Sequence, residues 1–252
     1  MTPNRNVTIR CLCVVDENSL MAYDSYNQSY KLTNTMEVIE SLVDTDQASS
    51  MAVIDKEHVA ATIPNRQAIA VFKITRELVM ELKKETLFPV SGKCQAIATL
   101  GRYMIVSFDE PNCKVQILDM QGNIKRSFAT LNELVAPWFM SRDLVTRTTY
   151  ISDWRKASIV AYDNDCNIKR VFQNNEILGL PFGIACDAAN RNLYVCDFRK
   201  GNVCRVDVES GNVSCVLTAK EGVISAYCVA LSMGKLYVCM QNCTTMRVYN
   251  IT

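Results

Sequence analysis

The chain of 252 residues contains a single histidine, His58, and this shortage excludes several kinds of site. A zinc site built from histidines needs more than one imidazole, and a Ser-His-Asp triad needs a histidine beside a nucleophile and an orienting acid. His58 ends the polar stretch Asp55-Lys-Glu-His58, which predicts a solvated turn between two strands. We therefore predict no catalytic residues and no histidine-based metal site.

Long hydrophobic runs and an excess of either charge are also missing. The apolar runs are far shorter than the roughly 18 residues of a membrane span, and Leu12–Val15 is too short for the core of a signal peptide. Lys and Arg number 27 against 26 Asp and Glu, so the net charge of +1 creates no field that attracts DNA or anionic lipid. These features predict a cytoplasmic protein with neither DNA nor a membrane as partner.

Nucleotide-binding and redox signatures are absent from a sequence that is nevertheless rich in cysteine. No G-x-x-x-x-G-K-[ST], G-x-G-x-x-G or C-x-x-C occurs, and we expect no cofactor. The twelve cysteines lie mostly in short apolar runs, which favours free, buried thiols. Five Asn-x-Ser/Thr sequences, at Asn6, Asn27, Asn212, Asn242 and Asn250, support an alternative, an extracellular receptor domain.

A repeat of about 42 residues runs through the chain. Its marker is an Asp that ends an apolar run, clearest at Asp109, Asp153 and Asp197, each with a second Asp ten residues later. The same frame places equivalent positions at Asp24, Ile63 and Met240. A period of this length is typical of repeat architectures. We predict one domain over residues 1–252 with six units, at approximately 7–44, 45–89, 90–131, 132–175, 176–219 and 220–252.

Each unit is predicted to contain four short β-strands. In the fifth unit the runs Gly183–Asp187, Asn192–Asp197, Val203–Asp207 and Val213–Leu217 are separated by turn residues. Six four-stranded antiparallel units are the composition of an all-β, six-bladed β-propeller. The last unit ends after three strands, so we predict either a three-stranded last blade or a chain shorter than its ancestor, with no pairing of Val7–Ile9 onto Met246–Asn250.

Two motifs carry a family resemblance. Leu180-Pro-Phe-Gly-Ile-Ala-Cys-Asp187 followed by Asn192-Leu-Tyr-Val-Cys-Asp197 resembles the core of the NHL repeat, and Trp138 with Tyr150-Ile-Ser-Asp153 is a weaker copy. In blade order the chain is similar to the carboxy-terminal propeller of TRIM-type proteins, particularly invertebrate ones. The resemblance implies recognition of a protein or RNA. It does not carry ubiquitin-ligase chemistry, because this chain contains no RING, B-box or coiled coil.

An enzymatic alternative is a lactonase-like, metal-dependent propeller hydrolase. Such propellers hold calcium with carboxylates and amides from inner strands, whereas the predicted inner strands here carry small residues: Cys13, Ala52, Ala98 and Cys186. Asp46 and Glu133, near the starts of inner strands, are the remaining candidate ligands. We predict no metal site.

The repeat frame predicts a binding patch instead. The three residues after the marker are aromatic-Arg-Lys in two adjacent units, namely Trp154-Arg155-Lys156 and Phe198-Arg199-Lys200, with Arg66 in a third. Arginine and aromatic side chains dominate binding hot spots, so we predict an acidic protein or peptide partner. Single-stranded RNA stacked on the two rings is the alternative ligand. A purely structural alternative is that the rings of Trp154 and Phe198 only cap the space between blades.

Overall fold

The computed structural model describes residues 9–33, 38–76, 80–109, 111, 113–129, 133–174, 176–241 and 246–251. In these ranges the strands form six antiparallel sheets, each built from strands that are consecutive in the chain. The first five sheets have four strands and the sixth has three, so the predicted six-bladed propeller with a three-stranded last blade is confirmed. No described helix has the length and hydrophobicity needed to cross a lipid bilayer.

The strands of each blade run from the centre of the ring outwards. Blade 1 holds β1 (Ile9–Val14), β2 (Leu20–Asp24), β3 (Ser29–Thr33) and β4 (Val38–Val43). Blade 2 holds β5 (Ser50–Val53), β6 (His58–Ile63), β7 (Ala68–Arg76) and β8 (Met80–Pro89). Blade 3 holds β9 (Cys94–Leu100), β10 (Tyr103–Phe108), β11 (Lys114–Asp119) and β12 (Ile124–Ala129).

Blades 4 to 6 continue the same pattern. Blade 4 holds β13 (Pro137–Asp143), β14 (Thr148–Asp153), β15 (Ser158–Tyr162) and β16 (Ile168–Gln173). Blade 5 holds β17 (Pro181–Asp187), β18 (Asn192–Asp197), β19 (Asn202–Asp207) and β20 (Val213–Leu217). Blade 6 holds β21 (Ala226–Ser232), β22 (Lys235–Met240) and β23 (Met246–Asn250).

The marker positions of the repeat end the second strand of a blade. Asp24, Asp153 and Asp197 are the last residues of β2, β14 and β18, and Asp109 directly follows β10. We call the four strands of a blade a to d from the centre outwards. The turns between strands b and c, together with the connections from d to the next a, form the b–c face. The a–b turns lie on the opposite side, the a–b face.

Neighbouring blades hold one another through buried side chains, and the ring closes between the first and last blades. Tyr30 of blade 1 packs between Tyr23 of the same blade, at a centroid distance of 4.8 Å, and Phe72 of blade 2, at 4.2 Å. The innermost strands β1 and β21 are in contact. Ile9 pairs with Asp24 inside blade 1, whereas the other residues named in the closure prediction, at positions 7 and 8, lie outside the described residues.

The eleven described cysteines are free thiols. Seven are buried and three are half-buried, as their apolar runs predict. Cys215 is different, because it lies on the outermost strand of blade 5 and is exposed. Cys243 lies outside the described residues.

Candidate binding site on the b–c face

A buried carboxylate fixes the b–c turn of blade 5. Asp197 is fully buried, and its Oδ1 accepts hydrogen bonds from the backbone N–H groups of Arg199, Lys200 and Leu180, at 3.0, 3.2 and 3.0 Å. Its Oδ2 accepts a fourth, from Gly179, at 2.6 Å. One side chain therefore ties the turn that carries Arg199 and Lys200 to the loop that enters the same blade.

Asp153 performs the same task in blade 4. It is fully buried and accepts hydrogen bonds from the backbone N–H groups of Arg155 and Lys156, both at 3.0 Å. Its other oxygen accepts from Val135 at 2.6 Å and Ala136 at 3.1 Å. The two aromatic-Arg-Lys turns are therefore held in the same way on neighbouring blades.

The loop between β16 and β17 connects the two turns. The side-chain amide of Gln173 donates to the carbonyl of Lys156 at 3.1 Å. Three residues further on, the carbonyl of Glu176 accepts a hydrogen bond from the ammonium of Lys200. The predicted triplets thus lie on the same face, on either side of one loop, and Lys200 is anchored to that loop.

The ring of Phe198 belongs to an aromatic cluster rather than standing free. It stacks on Phe182 with centroids 4.8 Å apart and an interplanar angle of 2°, and it meets Tyr227 edge-on at 6.0 Å. Trp138 lies 5.4 Å from Phe182, and Tyr227 is a buried phenol whose pKa burial raises to about 12. Phe198 therefore closes the space between blades 5 and 6, as the capping alternative predicts.

Trp154 has a different environment. The Arg155 guanidinium carbon lies 5.2 Å from the centroid of the Trp154 ring, within the range of a cation–π interaction. Trp154 is half-buried, and Arg155 is exposed. Arg155 therefore lies at the surface with the Trp154 ring next to it.

A groove between blades 5 and 6 lies directly beside Phe198. Its volume is about 380 Å³. The lining residues come from one b–c turn and the loop that enters blade 6: Phe198, Arg199, Lys200, Gly201, Asn202, Thr218, Ala219, Val223, Ile224 and Ser225. Ile224 is 63% exposed, and no described residue forms a hydrogen bond or ion pair with the Arg199 guanidinium. We call this cavity the blade 5–6 groove; it combines an unpaired cation with an exposed apolar side chain.

Arg66 lies on the same face but is already paired. Its Nε is 2.6 Å from Oδ1 of Asp46, whose Oδ2 is 2.6 Å from the Lys84 ammonium. Burial opposes the ionisation of Asp46, yet hydrogen bonds from Lys84 and Arg66 outweigh it and hold the pKa of this carboxyl below its usual value. Asp46 therefore serves this cluster, and Arg66 offers a ligand less free charge than Arg199 does.

Sequence reasoning missed the residues at the starts of inner strands. Arg10, Lys93 and Trp138 line a cavity of about 120 Å³ on the b–c face together with residues of the b–c turn of blade 2. Phe182 and Tyr227 occupy the position of Trp138 in the next two blades. The repeated Pro-aromatic pairs Pro137-Trp138 and Pro181-Phe182, 44 residues apart, are the signal that could have revealed them.

The opposite end of the ring contains a cavity of about 530 Å³. It is lined mainly by the apolar residues that end the inner strands, among them Cys13, Ala52, Ala98 and Cys186. Arg142 also lines it, but its guanidinium donates to the side chains of Thr149 and Asn164. This cavity therefore offers few polar side chains to a ligand.

His58 lies at the start of β6 on the a–b face. Its Nδ1 is 2.9 Å from Asp55, and its Nε2 is 3.5 Å from Glu85. Among the described residues, no three side chains of His, Cys, Asp and Glu come close enough together to hold a metal ion. The histidine thus lies between two carboxylates, as the first residue of β6 directly after the turn that the sequence predicts.

Comparison with known proteins finds the same fold in other structures but assigns no function to this chain. No family model and no curated protein matches the chain. A protein of unknown function from Bacteroides thetaiotaomicron is 14% identical, with a TM-score of 0.75 over 98% of this chain and 70% of that one. Virginiamycin B lyase from Staphylococcus aureus is 12% identical, with a TM-score of 0.67 over 100% and 86%.

A third similar structure is a nidogen/laminin complex, 15% identical with a TM-score of 0.69 over 88% of this chain and 84% of that one. The chain shares its six-bladed propeller with these proteins. At such identities the likeness shows the fold alone, because one propeller scaffold carries unrelated functions. The comparisons therefore include an enzyme, a protein assembly and a protein of unknown function on one architecture.

Proposed function

We propose that this protein is a non-catalytic recognition module, resembling the NHL propeller of TRIM-type proteins, that binds an acidic segment of a partner protein on its b–c face. The observation that carries the proposal is the blade 5–6 groove. Arg199 brings to its edge a guanidinium that has no partner among the described residues, and Ile224 brings exposed apolar surface to its wall. A segment with a carboxylate beside an aliphatic or aromatic side chain would satisfy both.

Rigidity of the site supports this proposal. Four backbone hydrogen bonds to Asp197 fix the turn before a ligand arrives, so little conformational entropy is lost there on binding. Trp154 and Arg155 extend the basic surface on the neighbouring blade. The patch proposed to contact the partner is therefore Trp154, Arg155, Lys156, Phe198, Arg199 and Lys200, with Arg66 at its periphery.

Single-stranded RNA is the second candidate ligand, and the geometry favours it less. Bases stack on an open aromatic face, but one face of Phe198 is covered by Phe182 and the ring meets the edge of Tyr227. Trp154 already lies beneath Arg155. The proposed cytoplasmic location is supported by the eleven free cysteines, since disulfides persist mainly in oxidising compartments.

A catalytic role has less support than recognition. Asp46, one candidate ligand of a lactonase-like calcium site, is held by two cations, and His58 lies on the a–b face between two carboxylates. Glu133 is half-buried at the loop before β13. The proposal therefore assigns binding, and no reaction, to the b–c face.

The test is selection of a random peptide display library on the purified chain, followed by fluorescence anisotropy with the enriched peptides. We expect enrichment of Asp and Glu next to apolar residues, and a tenfold or greater loss of affinity in the Arg199→Glu variant. Uridine oligonucleotides tested in parallel distinguish the alternative, because RNA affinity falls steeply with salt, by about 0.7 log units per log unit for each neutralised phosphate. Neutral or basic peptides that bind parent and variant equally would contradict the proposal.

A further inference from the structure

Two cysteines face each other across the outer strands of blade 5. Cys204 in β19 and Cys215 in β20 are direct partners in the antiparallel register. Residues directly opposite in a sheet have Cβ atoms about 4.5–5.5 Å apart, and a disulfide needs about 3.5–4.5 Å, so a small closing movement suffices.

The two thiols differ in exposure. Cys215 is exposed, whereas Cys204 is fully buried beneath it. Lys200, in the adjacent turn, is the cation that favours the thiolate of both residues. Burial nevertheless raises the pKa of Cys204 to about 12, and burial together with the carboxylates of Glu221 and Asp197 keeps the pKa of Cys215 above its ordinary value. An outer thiol that solvent reaches and an inner thiol on the directly opposite residue form the arrangement of an attacking and a resolving cysteine.

We propose that Cys204 and Cys215 form a dithiol modification site that is oxidised to an intramolecular disulfide by a small disulfide such as oxidised glutathione. The Cys215 thiolate attacks one sulfur of oxidised glutathione, forms a mixed disulfide and releases one glutathione thiolate. Cys204 then attacks the sulfur of Cys215, the Cys215–glutathione bond breaks, and the departing glutathione thiolate takes up the proton of Cys204. Two protein thiols are oxidised and one glutathione disulfide is reduced to two thiols.

A second cysteine pair in the same molecule provides an internal contrast. Cys228 and Cys239 are also direct partners in an antiparallel register. Both are only 1% exposed. The two cysteine pairs have the same register but differ in solvent exposure. Comparing their oxidation therefore separates the effect of solvent access to a thiol from the effect of its position opposite another cysteine.

The experiment is incubation of the folded, full-length chain with oxidised glutathione at pH 8, acid quenching, alkylation in denaturant and peptide mapping by mass spectrometry. We expect a loss of two thiols per chain, a linked peptide joining Cys204 to Cys215, reduced Cys228 and Cys239, and a thermal midpoint raised by several degrees. In Cys215→Ser, which changes an exposed side chain, the loss should disappear. Cys166→Ser, a half-buried thiol in blade 4, should react like the parent.

Three results would overturn the proposal. The first is that Cys204 and Cys215 stay reduced while an unstructured cysteine peptide in the same tube is oxidised. The second is a glutathione adduct on Cys215 that never proceeds to the internal disulfide. The third is equal oxidation of Cys228 and Cys239, which would mean that the chain opens and that exposure of Cys215 has no special role.

Discussion

Gly183 in the innermost strand of blade 5 lies against the backbone of Cys228 in blade 6. A Cβ atom added to Gly183 would lie 2.6 Å from the Cα of Cys228, 2.8 Å from the carbonyl oxygen of Tyr227 and 2.9 Å from the nitrogen of Val229. Such contacts are too short for any side chain. The glycine of the Leu180-Pro-Phe-Gly183 motif thus sets the spacing of the two blades that bound the groove.

Gly183→Ala is expected to destabilise the propeller. The methyl group must push two inner strands apart, because the atoms it would meet belong to the backbone and cannot move aside as a side chain can. Overpacking of this kind costs about 1–3 kcal/mol in the free energy of unfolding. Urea unfolding of parent and variant measures the difference. Gly101→Ala is the control: its Cβ meets nothing within 4 Å, and its cost should be about 1 kcal/mol from the positive φ of 58° alone. Equal losses in the two variants would contradict the spacing role of Gly183.

Asp197→Asn is expected to lower both stability and partner binding. The asparagine amide offers one acceptor oxygen, and its NH₂ group would face a backbone N–H. At least one of the four backbone N–H groups that donate to Asp197 therefore loses its acceptor. Hydrogen bonds to a charged group contribute about 1.5–3 kcal/mol, and we expect a loss of roughly 2–4 kcal/mol in the free energy of unfolding by denaturant. Asp207→Asn, in the exposed c–d turn of the same blade, should cost under about 1 kcal/mol.

The repeat was enough to predict the blades, because each strand pairs with the next strand along the chain and the short sequence patterns of strand and turn recur in every blade. The marker at Asp153 and Asp197 is visible in sequence because the same buried carboxylate caps the b–c turn in both copies, although Ile63 and Met240 take its place in blades 2 and 6. The partners of the patch residues were not predictable. The pairing of Arg66 with Asp46 and the stacking of Phe198 on Phe182 join residues that are 20 and 16 positions apart in the chain, which no short-range pattern encodes.

Acid should weaken the propeller partly through Asp46. The pKa of this carboxyl in the folded chain is lower than its unfolded value of about 4, so its stabilising contribution is complete above about pH 4 and is lost as the pH falls through the folded value. Denaturant midpoints between pH 2 and 6 should therefore fall less steeply with decreasing pH in Asp46→Asn than in the parent. Glu81→Gln, which removes an exposed carboxylate from the same strand as Lys84, is the control. An unchanged slope in Asp46→Asn would show that Lys84 and Arg66 do not stabilise its charge.

Charge reversal at both turns should abolish partner binding without unfolding the protein. Arg155→Glu with Arg199→Glu changes two exposed side chains whose backbone N–H groups, not their guanidinium groups, bind Asp153 and Asp197. Loss of an arginine at the centre of an interface commonly costs about 2 kcal/mol, roughly thirtyfold in affinity. We expect a larger loss for the pair in anisotropy measurements with a selected acidic peptide, and a melting temperature within about 2 °C of the parent.

The matched control must reverse the same charge on the opposite face. The sequence alone suggests Asp16→Lys with Asp187→Lys, but Asp16 is paired with Arg76, and Asp187 is buried and caps its own turn through Asn190. Lys56→Glu with Lys235→Glu is the better choice, because both lysines are exposed on the a–b face and the net charge changes by the same amount. If this control loses the peptide while the arginine pair retains it, the ligand meets the a–b face and its 530 Å³ cavity instead of the groove.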